Sequence, residues 1–198
     1  MSDSEQLMKI IGDVLQPKDA ALRKHSEQLL VDLRNSKPNE LVTAYLQILG
    51  SGNAKEYRNF AATQLRLCLS AFAPSSYTNL WDQLAPELQT NVKAQLFQII
   101  YAEQDLSMKK HIADTLGEIA GSVISKQPEN WPDFKGNVWK LFQDSQLPSV
   151  FAGFYILESF LTFAPDHFKD NTNDLHALFQ LGFKHENSKL KLSALSCF

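Results

Sequence analysis

One unit recurs five times along this chain, and nothing else in the sequence constrains its fold as strongly. The unit opens on an apolar anchor, usually followed by a base, and continues as a helical pattern of apolar and small residues. It is read at Leu22-Arg23-Lys24-His25-Ser26, Tyr57-Arg58-Asn59-Phe60-Ala61, Met108-Lys109-Lys110-His111-Ile112, Val150-Phe151-Ala152-Gly153-Phe154 and Leu190-Lys191-Leu192-Ser193-Ala194. Anchors at 22, 57, 108, 150 and 190 are separated by steps of 35, 51, 42 and 40 residues. A period near 40 is the length of one antiparallel helical hairpin. Stacked hairpins build an extended surface rather than a pocket, and such a surface suits a macromolecular partner.

The segments between anchors supply the other helix of each unit. Ser2 and Glu5 have the spacing of a capping box ahead of Leu7, Ile10, Ile11 and Val14, which share one helical face. Asp19 can cap the next helix, which carries Leu22, Ser26, Leu29, Leu30 and Leu33. Pro38 opens a third helix with Leu41, Tyr45, Ile48 and Leu49, and Gly50 and Gly52 can end it. Tyr57, Ala61, Leu65, Cys68 and Phe72 stripe the fourth. Residues 74–85 read as an irregular insert, which accounts for the 51-residue step. All eight prolines fall at turns or in first helical turns, and no run alternates as a strand. The expected fold class is all-α, an α-α superhelix of about five helical hairpins over 2–35, 37–73, 77–125, 131–164 and 171–198. The apolar pattern of Leu190, Leu192, Leu195 and Phe198 runs to the last residue without a polar cap, so the array is expected to continue as part of a longer one.

Composition narrows the function. A net charge of −3 offers no electrostatic drive toward a phosphate backbone, which disfavours nucleic acid as partner. No stretch approaches the roughly 18–20 apolar residues of a membrane span, and no basic start precedes an apolar leader, so the chain reads as soluble and intracellular. Cys68 and Cys197 lie 129 residues apart in apolar patterns and read as buried thiols. The five histidines make no HxxxH or HExxH pair, so no metal site or cofactor is expected. No phosphate loop or GxSxG nucleophile motif occurs, and no enzyme activity is expected. Gly117 and Gly121 share a helix face and are expected to serve close helix packing. Ten of thirteen phenylalanines follow residue 130, which implies a bulkier core in the later repeats. Arg23, Arg58, Lys109 and Lys191 follow their anchors, and Asp19 and Asp105 precede two of them by four residues; a ladder of ion pairs between neighbouring repeats is expected.

These features together resemble HEAT repeats, and more narrowly the importin-beta (karyopherin-beta) family, of the importin beta-3 type. The resemblance is carried by Leu15-Gln16-Pro17-Lys18-Asp19 with Leu22-Arg23-Lys24-His25-Ser26-Glu27, by Arg58-Asn59-Phe60-Ala61-Ala62 with Leu65-Arg66, by Ser107-Met108-Lys109-Lys110-His111-Ile112-Ala113-Asp114, and by Asn130-Trp131-Pro132 with Leu141-Phe142. Many members read Leu-Lys-Asn where this chain has Leu65-Arg66-Leu67; the charge is kept and the amide lost. The resemblance implies a nuclear transport receptor that moves between cytoplasm and nucleus. In such receptors the N-terminal repeats bind the GTP-bound small GTPase Ran, while protein cargo and nucleoporins use later repeats. The polar positions opposite the apolar stripes of the second helices are Lys24, Gln28, Asn59, Thr63, Arg66, Lys110 and Asp114. On the residues alone they are a solvated face; with the resemblance they become candidates for contact with Ran. A HEAT-repeat scaffold or adaptor unrelated to transport is the alternative.

Overall fold

The computed structural model describes residues 3–197, and the expected capping box at Ser2 and the terminal Phe198 lie outside them. Among the described residues the regular structure is entirely helical. Ten α-helices follow in order: α1 (Asp3–Leu15), α2 (Ala20–Ser36), α3 (Pro38–Gly50), α4 (Lys55–Leu69), α5 (Pro86–Ala102), α6 (Leu106–Lys126), α7 (Phe134–Gln143), α8 (Leu147–Phe163), α9 (Thr172–Lys184) and α10 (Ser188–Leu195). Short 3-10 turns occupy Trp81–Gln83, Pro128–Asn130 and Pro165–Asn171. Every proline stands outside a helix, in a 3-10 turn or in a first helical turn, as its missing N–H requires.

The chain divides into two compact units, one built from residues 1–69 and 73–99, the other from 70–72 and 100–198. In the first, α1 pairs with α2 and α3 with α4, and α1 also lies against α3. The apolar stripes close into a core of Leu7, Ile11, Leu30, Leu41, Tyr45, Leu49, Leu65 and Cys68, all buried. Each fully buried Leu or Ile contributes about 1.5–3 kcal/mol. The insert is pinned to this unit: Leu80 N–H donates to the Cys68 carbonyl at 2.8 Å, Trp81 is buried, and the Arg34 guanidinium lies 4.3 Å over the Tyr77 ring. The fourth helix stops at Leu69, so Phe72 leaves its expected stripe.

In the second unit α6 packs along α8, α7 pairs with α8 and α9 with α10. Gly117 and Gly121 explain the closeness of α6 and α8. A Cβ on Gly117 would stand 2.7 Å from Ser159 Cβ and 2.8 Å from the Ile156 carbonyl oxygen; one on Gly121 would stand 3.0 Å from Phe163 Cβ. The late phenylalanines fill this core. Phe134, Phe151, Phe154, Phe160 and Phe168 are buried, and Phe134–Phe160 and Phe142–Phe154 ring centroids lie 4.7 and 4.9 Å apart. No single described helix is long and apolar enough to cross a membrane; α8, the most apolar, is buried here.

The last pair of helices shows what the terminal apolar pattern does. α10 stops at Leu195, where the Ser196 N–H closes on the Leu192 carbonyl. Leu190 and Ala194 are buried against α8 and α9, while Leu192 (63% exposed) and Leu195 (55%) face water. The eight-residue helix turns its anchor inward and leaves the other face open.

Candidate functional site

Three helix starts set the orientation of the polar row. Asp19 Oδ1 accepts the Leu22 N–H at 2.8 Å and Asp105 Oδ1 accepts the Met108 N–H at 2.8 Å, each capping one orphan donor. α4 is tied down differently: Arg58 Nε donates to the Leu49 carbonyl at 2.8 Å, placing a cation at the negative end of α3.

Asp19 and Asp105 open their helices. Both carboxylates act as helix caps, and Arg23 pairs with Glu27 on its own helix at 2.9 Å. Lys109 is the exception in environment. It is 1% exposed, and its ammonium is pushed below the ordinary lysine range by burial, against the pull of Asp144 and Glu103. Asp144, in the turn between α7 and α8, is held below the usual carboxylate range mainly by Ser149, whose hydroxyl donates to it at 2.6 Å, and by the Gln146 N–H. Here a base does face the turn carboxylate of the following pair of helices.

The expected row is split between the two units. On the first lie Lys24 and Gln28 of α2, both exposed, with Gln28 Nε2 donating to Asp32 Oδ1 at 3.0 Å. Asn59, Thr63 and Arg66 of α4 are half-buried rather than exposed. The Thr63 hydroxyl turns back to the Asn59 carbonyl at 3.0 Å, and Asn59 Oδ1 is buried without a hydrogen-bond partner, which costs about 1–3 kcal/mol. A helical wheel drawn for one helix places these α4 positions in solvent, whereas in the fold they are partly covered.

On the second unit Lys110 is exposed and Asp114 half-buried. Lys110 Nζ sits 3.3 Å from Asp114 Oδ1 and 3.9 Å from Glu158 Oε2, and 4.7 Å over the Tyr155 ring. Tyr155 and Glu158 of α8 were absent from the expected row. Their signal was present: they occupy on α8 the same outward face that Lys110 and Asp114 occupy on α6. Ser159 completes the join, its hydroxyl donating to the Asp114 carbonyl at 3.0 Å. Beside this cluster is a cavity of about 300 Å3 lined by residues of α6, α8 and α10.

Among the described residues no three His, Cys, Asp or Glu side chains converge as metal ligands. Cys68 and Cys197 are free thiols, both raised above the ordinary thiol range by burial, Cys197 to about 12, so neither is a ready nucleophile.

Comparison with known proteins agrees with the geometry. Residues 104–198 match the profile of the family described as "IPO5-like, TPR repeats". The whole chain superposes on yeast importin-beta (Kap95p) with a TM-score of 0.81 at 19% identity, covering 24% of that protein. It is also similar to yeast Kap95 in complex with Nup1 (TM-score 0.62, 18% identity, 98% of this chain and 28% of that one). A third similar structure is of Kap95p whose binding induces the switch loops of RanGDP to adopt the GTP-bound conformation (0.68, 15%, 98% and 27%). The fold is therefore that of the HEAT-repeat α-α superhelices, and the chain spans about a quarter of the length of the structures it matches. TPR and HEAT units are different repeats, but both are antiparallel helical hairpins, so both descriptions imply stacked hairpins.

Proposed function

We propose that this chain is the Ran-binding part of a karyopherin-beta nuclear transport receptor, of the importin beta-3 type, acting in import of protein cargo and not as an enzyme. The observation that supports it most is the importin-beta fold over the full chain, together with the IPO5-like match over residues 104–198. The polar positions of the second helices are the contact residues in this reading: Lys24, Gln28, Asn59, Thr63 and Arg66 on one unit, Lys110 and Asp114 on the other. Cargo and nucleoporin contacts belong to the longer receptor, whose place of work is cytoplasm and nucleus.

Affinity on such a surface comes from a few anchors among many modest contacts. Arg66 is the first choice, since its planar fork can pair a carboxylate bidentately. Because Arg66 is half-buried, its variant needs a fold control, and exposed Lys24 supplies a cleaner second site. Pull-down with Ran loaded with GTP or GDP tests the reading. GTP-selective capture is expected, weakened by about 2 kcal/mol in Arg66→Glu and by less in Lys24→Glu. Equal capture of both forms, or of neither, removes the transport function and leaves a HEAT-repeat scaffold.

A further inference from the structure

The insert between α4 and α5 is held unevenly along its length. Its second half, residues 80–85, is well fixed. Leu80, Trp81 and Leu84 are buried, and the Leu80 N–H donates to the Cys68 carbonyl at 2.8 Å. Gln89 Nε2 donates to the Trp81 carbonyl at 2.7 Å, and the Ala85 N–H donates to Asn39 Oδ1 at 2.9 Å. The first half, residues 73–79, has no such anchors. Pro74, Ser75, Ser76 and Thr78 are exposed. The Tyr77 N–H turns back to the Pro74 carbonyl at 2.8 Å, and Asn79 Oδ1 accepts the Trp81 N–H at 2.8 Å, so both bonds stay inside the insert. Among the described residues, the ring contact that ties 73–79 to a helix is that of Tyr77 with Arg34 of α2, whose guanidinium lies 4.3 Å from the ring centroid.

Under that ring is a cation without a counter-ion. Arg34 forms no ion pair among the described residues, and its Nε is buried without a hydrogen-bond partner. The Cys68 thiol beside it is raised by burial and pulled partway back by the guanidinium charge, so a neutral thiol stands where a carboxylate would compensate the cation. A desolvated cation that lacks an anion is costly, and stacking on a ring offsets only part of that cost. Lifting Tyr77 gives up one cation–π contact and returns water to an orphan donor. These two effects are of the same order, so the shut and open forms lie close in free energy.

We propose that residues 73–79 are a strap that opens locally while residues 80–85 stay in place, masking Arg34 when shut and presenting its guanidinium at the surface when open. The device is independent of the transport reading. It is a sub-global opening of a segment with few contacts, of the kind that precedes unfolding of the whole.

The test follows two protons by NMR in the isotopically labelled chain: the Arg34 Nε proton, which the strap covers, and the Leu80 amide, which belongs to the fixed half. Tyr77→Leu removes the ring and keeps an apolar side chain; Tyr77→Phe keeps the ring. Exchange of the Arg34 proton with water should quicken about tenfold in Tyr77→Leu and stay within about twofold of the parent in Tyr77→Phe, with Leu80 exchange unchanged in both. In the parent, Arg34 exchange should depend on urea much less steeply than global unfolding does. Equal Arg34 exchange in the two variants overturns the clasp. Arg34 and Leu80 quickening together, or Arg34 exchange with the full urea dependence of global unfolding, overturns the strap, because the insert then opens only as a whole.

Discussion

Gly117→Ala should destabilise this protein although it improves a helix. Alanine is favoured over glycine in a helix interior by about 0.8–1 kcal/mol. Against that gain stands the contact of α6 with α8. The new Cβ would lie 2.7 Å from Ser159 Cβ and 2.8 Å from the Ile156 carbonyl oxygen, about 0.7 Å inside ordinary contact. Backbone cannot swing away as a flexible side chain can, so the two helices must part. Overpacking of this kind costs about 1–3 kcal/mol, and parting α6 from α8 also loosens Gly121 from Phe163. The net expectation is a loss of up to about 2 kcal/mol, or as much as roughly 8 °C in Tm for a chain this long. Gly136→Ala is the internal control. It lies on the exposed side of α7, where an added Cβ meets nothing within 4 Å, so it should stabilise by about 0.4–1 kcal/mol. Adding Ser159→Gly to Gly117→Ala should restore only part of the loss, since the Ile156 carbonyl stays. Urea unfolding followed by far-UV circular dichroism reads all three. The reasoning fails if Gly117→Ala is as stable as Gly136→Ala, or if Ser159→Gly rescues it completely.

Two further outcomes follow from the caps and the half-buried imidazole of His167. Asp105→Ala should cost about 1 kcal/mol by orphaning the Met108 N–H, measured as a lower urea midpoint with unchanged slope. His167 lies against Phe160 and Phe168, and burial first, then Lys135, lower its pKa below the ordinary 6.5. The folded chain therefore holds that proton less tightly than the unfolded one. Stability is lost as pH falls from about 7 through the unfolded value, and the loss is complete below the folded value. The drop in urea midpoint between about pH 7.5 and 5 should be smaller in His167→Gln than in the parent; an equal drop assigns the effect to other groups.

Most helices were legible in the sequence because their causes are local, although the fourth ends at Leu69, short of Phe72. Proline at first turns, Asp19 as a cap, and apolar residues three and four apart act within one or two turns. Periodicity also located Leu7, Ile11, Leu41, Leu65, Val92, Leu116 and Phe154 in the core, and the spacing of Gly117 and Gly121 announced a close helix neighbour. It could not name that neighbour. That α8 supplies Ser159 and Ile156, and that Tyr155 and Glu158 join Lys110 and Asp114, depends on which helices lie side by side. Packing also half-buried Asn59, Thr63 and Arg66, and buried Lys109. A helical stripe records which face of a helix avoids water. Which polar residues meet across two helices is decided by their lateral packing, and only the tertiary structure contains that.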